Sequence, residues 1–268
     1  MSSQQELIQR WDTFLKKIEI CYLESLEQAE EACLAQLEET NYDYYTVFRA
    51  WTGMKAQINN IIPKIDETWQ RKVLPKMREV DNGSYFYNEQ SFKASKLSDA
   101  LHEKMERFET ILQGKLSQRF YDHAKQTVDK NFTCSQCGAP IQVVKDLFRA
   151  QYISCGACGS INTFEPETKF IQIGWNAIDN IVALQLLPLH DAMSRAIRNI
   201  QDVRKEHQTE EMWEAYKSAY FIYWETYFKE RIKLKSDAEK RLKDDMQRKQ
   251  KEYTEFENIQ RYNKYGIS

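Results

Sequence analysis

The sequence predicts a mainly α-helical fold: a bundle of about five long, largely antiparallel helices, with a small four-cysteine module of short β-strands inserted between the third and fourth. Three observations carry this expectation. Charged residues reach 29% of 268 positions against only five prolines and eight glycines, a balance that favours long amphipathic helices over a sheet-rich fold. Apolar residues recur at three- and four-residue steps along most of the chain. Two CxxC pairs interrupt that pattern between residues 134 and 158. With 42% hydrophobic residues the chain is long enough to bury a core.

The first helix is marked by Leu7, Trp11, Leu15, Ile18, Tyr22, Leu26, Ala29, Cys33 and Leu37. The run "TNYDYY" can cap the second, whose apolar side carries Phe48, Trp51, Ile58, Ile62, Ile65, Trp69 and Val73. Pro63 and Pro75 are expected to kink or interrupt it, because proline has no N–H to give the helix. "VDNGS" at 80–84 is a turn signal, followed by a third helix through Leu97, Leu101, Met105, Phe108, Leu112, Leu116, Phe120 and Ala124. After the module, "FEPETKF" opens a fourth helix. Its stretch 178–197 is apolar around much of the axis, which predicts the most buried helix of the bundle, bent at Pro188. The last helix, from about Glu210, begins with the aromatics Trp213, Tyr216, Tyr220, Tyr223, Trp224, Tyr227 and Phe228 and thins to Leu242, Met246, Phe256 and Ile259 among charges. So few apolar residues rarely stabilise a helix alone, and residues 235–262 are expected to pack on a partner or a second copy. The divisions implied are an N-terminal helical segment (1–130), the cysteine module (131–167) and a C-terminal helical segment (168–268) packing on the first.

In the module, Cys134 and Cys137 form one pair and Cys155 and Cys158 the other, with seventeen residues between the pairs. This spacing reads as a four-cysteine zinc site. Gly138 and Gly159, each directly after a pair, suit the positive backbone angles of tight metal-binding turns. The runs "IQVV", "QYIS" and "INTF" supply candidate strands. Four thiolates leave zinc no open position, so one structural Zn2+ is expected. The segments "CSQCG" and "CGACGS" resemble the two knuckles of the zinc-ribbon superfamily over residues 132–166, and that resemblance implies Cys134, Cys137, Cys155 and Cys158 as the metal ligands. It fixes a fold and no single function.

Charge and motifs narrow the function classes. A net charge of −2 gives no overall pull toward nucleic acid or anionic membranes. Eight acids and no base lie between Glu19 and Asp43, while residues 229–251 hold ten bases and five acids; both runs read as solvated helix faces or as ends that pair with each other. Within 131–166 Lys145 and Arg149 balance Asp146 and Glu165, so a nucleic-acid-binding ribbon is not favoured. Long helices with a four-cysteine module are also similar in layout to DksA-like regulators of RNA polymerase, whose acidic coiled-coil tip would correspond to Asp81. A rubredoxin-like iron centre uses the same four thiolates. A di-iron bundle needs ExxH motifs, and the residues three before His102, His123, His190 and His207 are Asp99, Phe120, Leu187 and Arg204.

No GxGxxG, P-loop, GxSxG or HExxH occurs, so no catalytic residue is nominated. The favoured reading is a non-enzymatic zinc-binding interaction or scaffold protein, its ribbon a structural staple or a partner-contact module presenting Phe148, Tyr152 or Phe164. Its partner would be another protein, or a second copy through the aromatic C-terminal helix; the alternative is an association with nucleic acid or the transcription machinery. "IVALQLLPL" at 181–189 is too short to span a bilayer, the start MSSQQELIQRW lacks a signal-peptide pattern, and paired cysteines of this kind suit a reducing compartment. A cytoplasmic protein is expected.

Overall fold

The computed structural model describes residues 3–81, 83–143 and 147–262. The fold is mainly helical, with several long helices and one two-stranded sheet that carries the four cysteines. The chain divides into two compact units, residues 1–112 and 113–268.

In the first unit, α1 (Ser3–Glu39) runs antiparallel to α2 (Tyr44–Asn59), with the Tyr22 hydroxyl donating to Asn59 Oδ1 at 3.3 Å. The Asp43 carboxylate caps α2 by accepting the Tyr45 and Thr46 amides, satisfying donors a helix start leaves orphaned. The expected interruptions occur at both prolines. Pro63 is the first residue of α3 (Pro63–Thr68), a π-helical turn follows at Trp69–Val73, and α4 (Leu74–Glu79) carries Pro75. The π turn has a local cause. Pro75 lacks an N–H, and its ring would strike the Arg71 carbonyl in a regular α-helix; the chain widens by one residue instead, the Leu74 amide donating to the Trp69 carbonyl five residues back. Asp81 accepts from the Ser84 amide and hydroxyl and from the Tyr85 amide, and Gly83 takes φ +86°. The carboxylate proposed as an acidic tip is therefore engaged in its own turn.

A single helix, α5 (Phe86–Asn131), follows. Its first half runs parallel to α1, as shown by Trp11 Nε1 donating to the Gln90 carbonyl and by the pairs Lys93–Asp12 and Lys104–Glu19. Trp11, Tyr22, Leu37, Trp51, Ile65, Met77, Leu101 and Leu112 are the large side chains fully enclosed in this unit.

In the second unit, the far half of α5 runs antiparallel to α6 (Thr168–Gln185), as expected for helices that flank an insertion. They come close at Gly114, where a Cβ would stand 2.4 Å from Leu184 Cβ and 3.1 Å from the Asn180 carbonyl; one turn on, Asn180 Nδ2 donates to Ser117 Oγ at 3.2 Å. Gly114→Ala should therefore force the two helices apart and destabilise the protein by about 1–3 kcal/mol, the usual cost of overpacking. Urea unfolding reads this directly, and an unchanged midpoint would mean the helices already separate at that level.

Three expectations need correction. Pro188 does more than bend its helix: α6 ends at Gln185 and α7 (Leu187–Gln201) begins with Pro188 in its first turn, where a missing N–H is harmless. The buried stretch consequently ends at Leu187, and no residue from Pro188 to Asn199 is buried. The last helix is two helices. After α8 (Glu210–Leu234) a 3₁₀ turn at Ser236–Arg241 reverses the chain, and α9 (Leu242–Tyr262) packs back along α8.

The α8–α9 seam is aromatic. Trp213, Tyr216, Tyr220 and Tyr253 are buried with Ile200 of α7, and Phe221, Trp224 and Phe256 pack around them. The rings of Tyr216 and Tyr253 pack at a tilt with centroids 5.9 Å apart, and those of Tyr220 and Tyr253 at 5.5 Å. Residues 235–262 thus find their apolar partner within their own chain. Burial raises Tyr216, Tyr220, Tyr223, Tyr227 and Tyr253 above the ordinary phenol value of 10.0. A group whose folded-state value is raised stabilises the fold fully below its unfolded value and ceases to do so as pH climbs through the folded one. The seam should hold below pH 10 and fail in alkali above it. Tyrosinate absorbance should then lag the free-tyrosine curve and rise together with the loss of helical circular dichroism; independent titration near 10.0 with helicity intact would show the rings to be accessible.

Candidate metal centre

The four-cysteine site is built from two nearly identical turns. In the first, the Gly138 amide donates to the Cys134 carbonyl at 2.9 Å and the Cys134 amide to the Ala139 carbonyl at 2.8 Å. In the second, the Gly159 amide donates to the Cys155 carbonyl at 2.9 Å and the Cys155 amide to the Ser160 carbonyl at 2.8 Å. Each closes on a left-handed glycine, Gly138 at φ +72° and Gly159 at φ +73°, a conformation a Cβ would oppose. Strands β1 (Gln151–Ser154) and β2 (Ile161–Phe164) form the antiparallel pair that holds the second turn. "QYIS" and "INTF" are these strands, whereas "IQVV" is not one: among its described residues, 141–143, only the flanking bridge Thr133–Pro140 and the Ile141 amide bond to the Phe132 carbonyl tie it down. Pro140 has no N–H with which to extend a ladder.

These turns bring the four sulfurs within 4.8 Å of one another. Cys134 Sγ lies 3.6 Å from Cys158 Sγ, and Cys137 Sγ 3.7 Å from Cys155 Sγ. A disulfide would need about 2.05 Å; a tetrahedron with metal–sulfur bonds near 2.3 Å has edges of about 3.8 Å. The cluster therefore fits a single ion of tetrahedral preference. Cys134 and Cys155 are buried, and Cys137 and Cys158 face solvent.

Two residues that the cysteine pattern does not reveal support the site. The Ser160 hydroxyl stands 3.0 Å from Cys134 Sγ and 3.1 Å from Cys158 Sγ, and it is the foremost cause holding both thiols below their ordinary range, Cys134 down to about 5. Asn162, buried, accepts the Ser135 amide and hydroxyl on Oδ1 and donates through Nδ2 to the Ser160 carbonyl and to Cys134 Sγ. One amide thereby links the first turn to the second. Nothing in "INTF" distinguishes this asparagine from an ordinary strand residue until the turns are in place.

The module docks through Phe148, which is 5% exposed and lies on Gly174 of α6, where a Cβ would come within 2.3 Å of its ring. Its ring also meets Tyr121 edge-on at 5.9 Å. Phe164 is buried against Phe132. Of the three aromatics expected to be open to a partner, only Tyr152 is exposed, at 80%, joined on the same sheet face by Ile161 at 70%. Arg149 pairs with Asp237 at 2.5 Å. Lys145 and Asp146 lie outside the described residues. Beside the module a cleft of about 320 Å³ is lined by Val128, Phe132, Phe164 and Phe170 with Glu165 and Glu167 at its edge.

The four cysteines on their two-stranded sheet make a zinc-ribbon-like metal-binding motif within a helical scaffold. No family model, curated protein or solved structure matches the chain. Among the described residues no helix is long and apolar enough to cross a membrane.

Proposed function

We propose that this is a non-enzymatic, zinc-dependent interaction protein of a reducing, cytoplasmic compartment. Cys134, Cys137, Cys155 and Cys158 hold one structural Zn2+, and the metal shapes the ribbon whose outer face meets another protein. The observation that carries this reading is the cluster of four sulfurs within 4.8 Å of one another beside a two-stranded sheet that leaves Tyr152 and Ile161 in water. Tyrosine is among the residues enriched at the centres of protein contacts, and here an exposed apolar side chain stands on the same face. A nucleic-acid surface would need free cations. Instead Arg149 is paired with Asp237, and the neighbouring cleft carries two glutamates. Self-association through the aromatic helix would have to use what α9 leaves uncovered on α8, chiefly Ile222, which is 50% exposed.

The test is affinity capture from nuclease-treated extract with the wild type and with Tyr152→Ser/Ile161→Ser, alongside metal analysis by mass spectrometry. One zinc per chain and a set of proteins lost in the double variant are expected. Iron in place of zinc would transfer the site to electron transfer. Partners lost on nuclease treatment would transfer the protein to the nucleic-acid class.

A further inference from the structure

The first unit contains a second site that no sequence motif announces. Where α1 faces the π turn, a cleft of about 230 Å³ opens. Its apolar walls are Leu7, Trp11 and Phe14 from α1 and Val73 from the π turn. The floor is fixed: Trp11 is 2% exposed, donates its indole N–H to the Gln90 carbonyl, and packs at 5.4 Å against both Phe14 and Trp69. Thr68 and three cations, Arg10, Lys72 and Lys76, complete the lining, and no acid contributes to it. All three are exposed, and among the described residues none makes an ion pair. The neighbouring Arg71, by contrast, is paired with Glu67 at 2.7 Å.

An apolar body and an anionic head are what such a cleft is complementary to. An apolar cavity of about 150 Å³ is enough to hold benzene, so 230 Å³ accommodates a ring system or a short acyl chain. Three unpaired cations at the mouth would supply charge-assisted hydrogen bonds to a carboxylate, sulfonate or phosphate. Surface cations on a helical protein are commonly matched by acids at i±4; three converging on one aromatic-floored cleft without a partner are not explained by helix stability. The π turn, a feature frequent at functional sites, forms one wall. We propose that this cleft binds a small amphipathic anion, its apolar body against Trp11 and Phe14 and its head held by Arg10, Lys72 and Lys76. This site is independent of the metal centre.

The experiment is isothermal titration of the full chain with 2-naphthoate and, as a neutral analogue, 2-naphthalenemethanol, plus sedimentation with phosphatidylserine-containing and pure phosphatidylcholine vesicles. Naphthoate should bind one to one and more tightly than the alcohol. Lys72→Gln/Lys76→Gln should weaken it by about ten-fold or more with an unchanged melting temperature, while Lys233→Gln/Lys240→Gln, the same charge change in the other unit, should leave it unaltered. Binding of naphthoate without vesicle association assigns a soluble ligand. Sedimentation with anionic vesicles only, abolished by Lys72→Gln/Lys76→Gln, assigns a lipid headgroup. Neither form of binding, or binding untouched by the cleft substitutions, overturns the proposal.

Discussion

Cys134→Ser and Cys155→Ser should each release the zinc ion and unfold residues 132–166, with most of the helical circular dichroism retained. These two cysteines are the buried pair, and with Ile141 they are the module's own core cluster. The module has two four-residue strands, and only Phe132, Ala139 and Ile153 pack around that cluster, too small a core to hold roughly 35 residues without a metal. Metal binding there is folding energy. The helices draw theirs from separate clusters, around Trp11 and Trp51 in one unit and around Trp213 and Tyr216 in the other. Metal analysis should therefore fall from one zinc per chain to almost none, and limited proteolysis should cut first between 132 and 166. Release of Phe148 from Gly174 should also expose Tyr121 to solvent. A global loss of helicity in either variant would show that the ribbon nucleates the whole second unit, and full zinc retention would remove the ligand assignment itself.

Sequence made the ribbon legible because its determinants are local. Two CxxC pairs, each followed by a glycine, encode the turns whatever the remainder of the chain does. The helices with regular apolar spacing were legible for the same reason, and the prolines marked their breaks. The α8–α9 reversal was not. Its turn, "KSDAEKR", contains neither glycine nor proline, and its second helix reads as the charged continuation of the first unless Tyr253 and Phe256 are seen opposite Tyr216 and Trp213. Asn162 and Ser160 were invisible because their roles depend on two turns meeting. The basic cleft was invisible because it needs α1 and the π turn side by side, and the π turn exists only as a response to Pro75.

Charge burial misleads in the same way. Residues 229–251 look like a solvated basic face, yet Arg231, Lys235 and Asp245 are 8%, 3% and 5% exposed. Arg231 Nε lies 2.8 Å from Asp179 of α6 and its Nη1 3.8 Å from Asp245 of α9, while Arg248 meets the other oxygen of Asp245 at 2.9 Å. One guanidinium on α8 thus meets an acid of α6 and an acid of α9. Its planar fork and weak hydration suit it to this role better than an ammonium. Arg231→Met should destabilise the second unit by about 3 kcal/mol or more, since removing the buried guanidinium takes the cation from Asp179 and leaves the buried Asp245 to Arg248 alone. Adding Asp179→Asn and Asp245→Asn to that variant should recover part of the loss, because neither position then carries a charge that Arg231 would have balanced. Urea unfolding followed by circular dichroism gives both values, and hydrogen exchange should show α9 opening first in Arg231→Met. If Arg231→Met stays within about 0.5 kcal/mol of the wild type, the contacts behave as exposed ion pairs do, and the hairpin is held by its tyrosines alone.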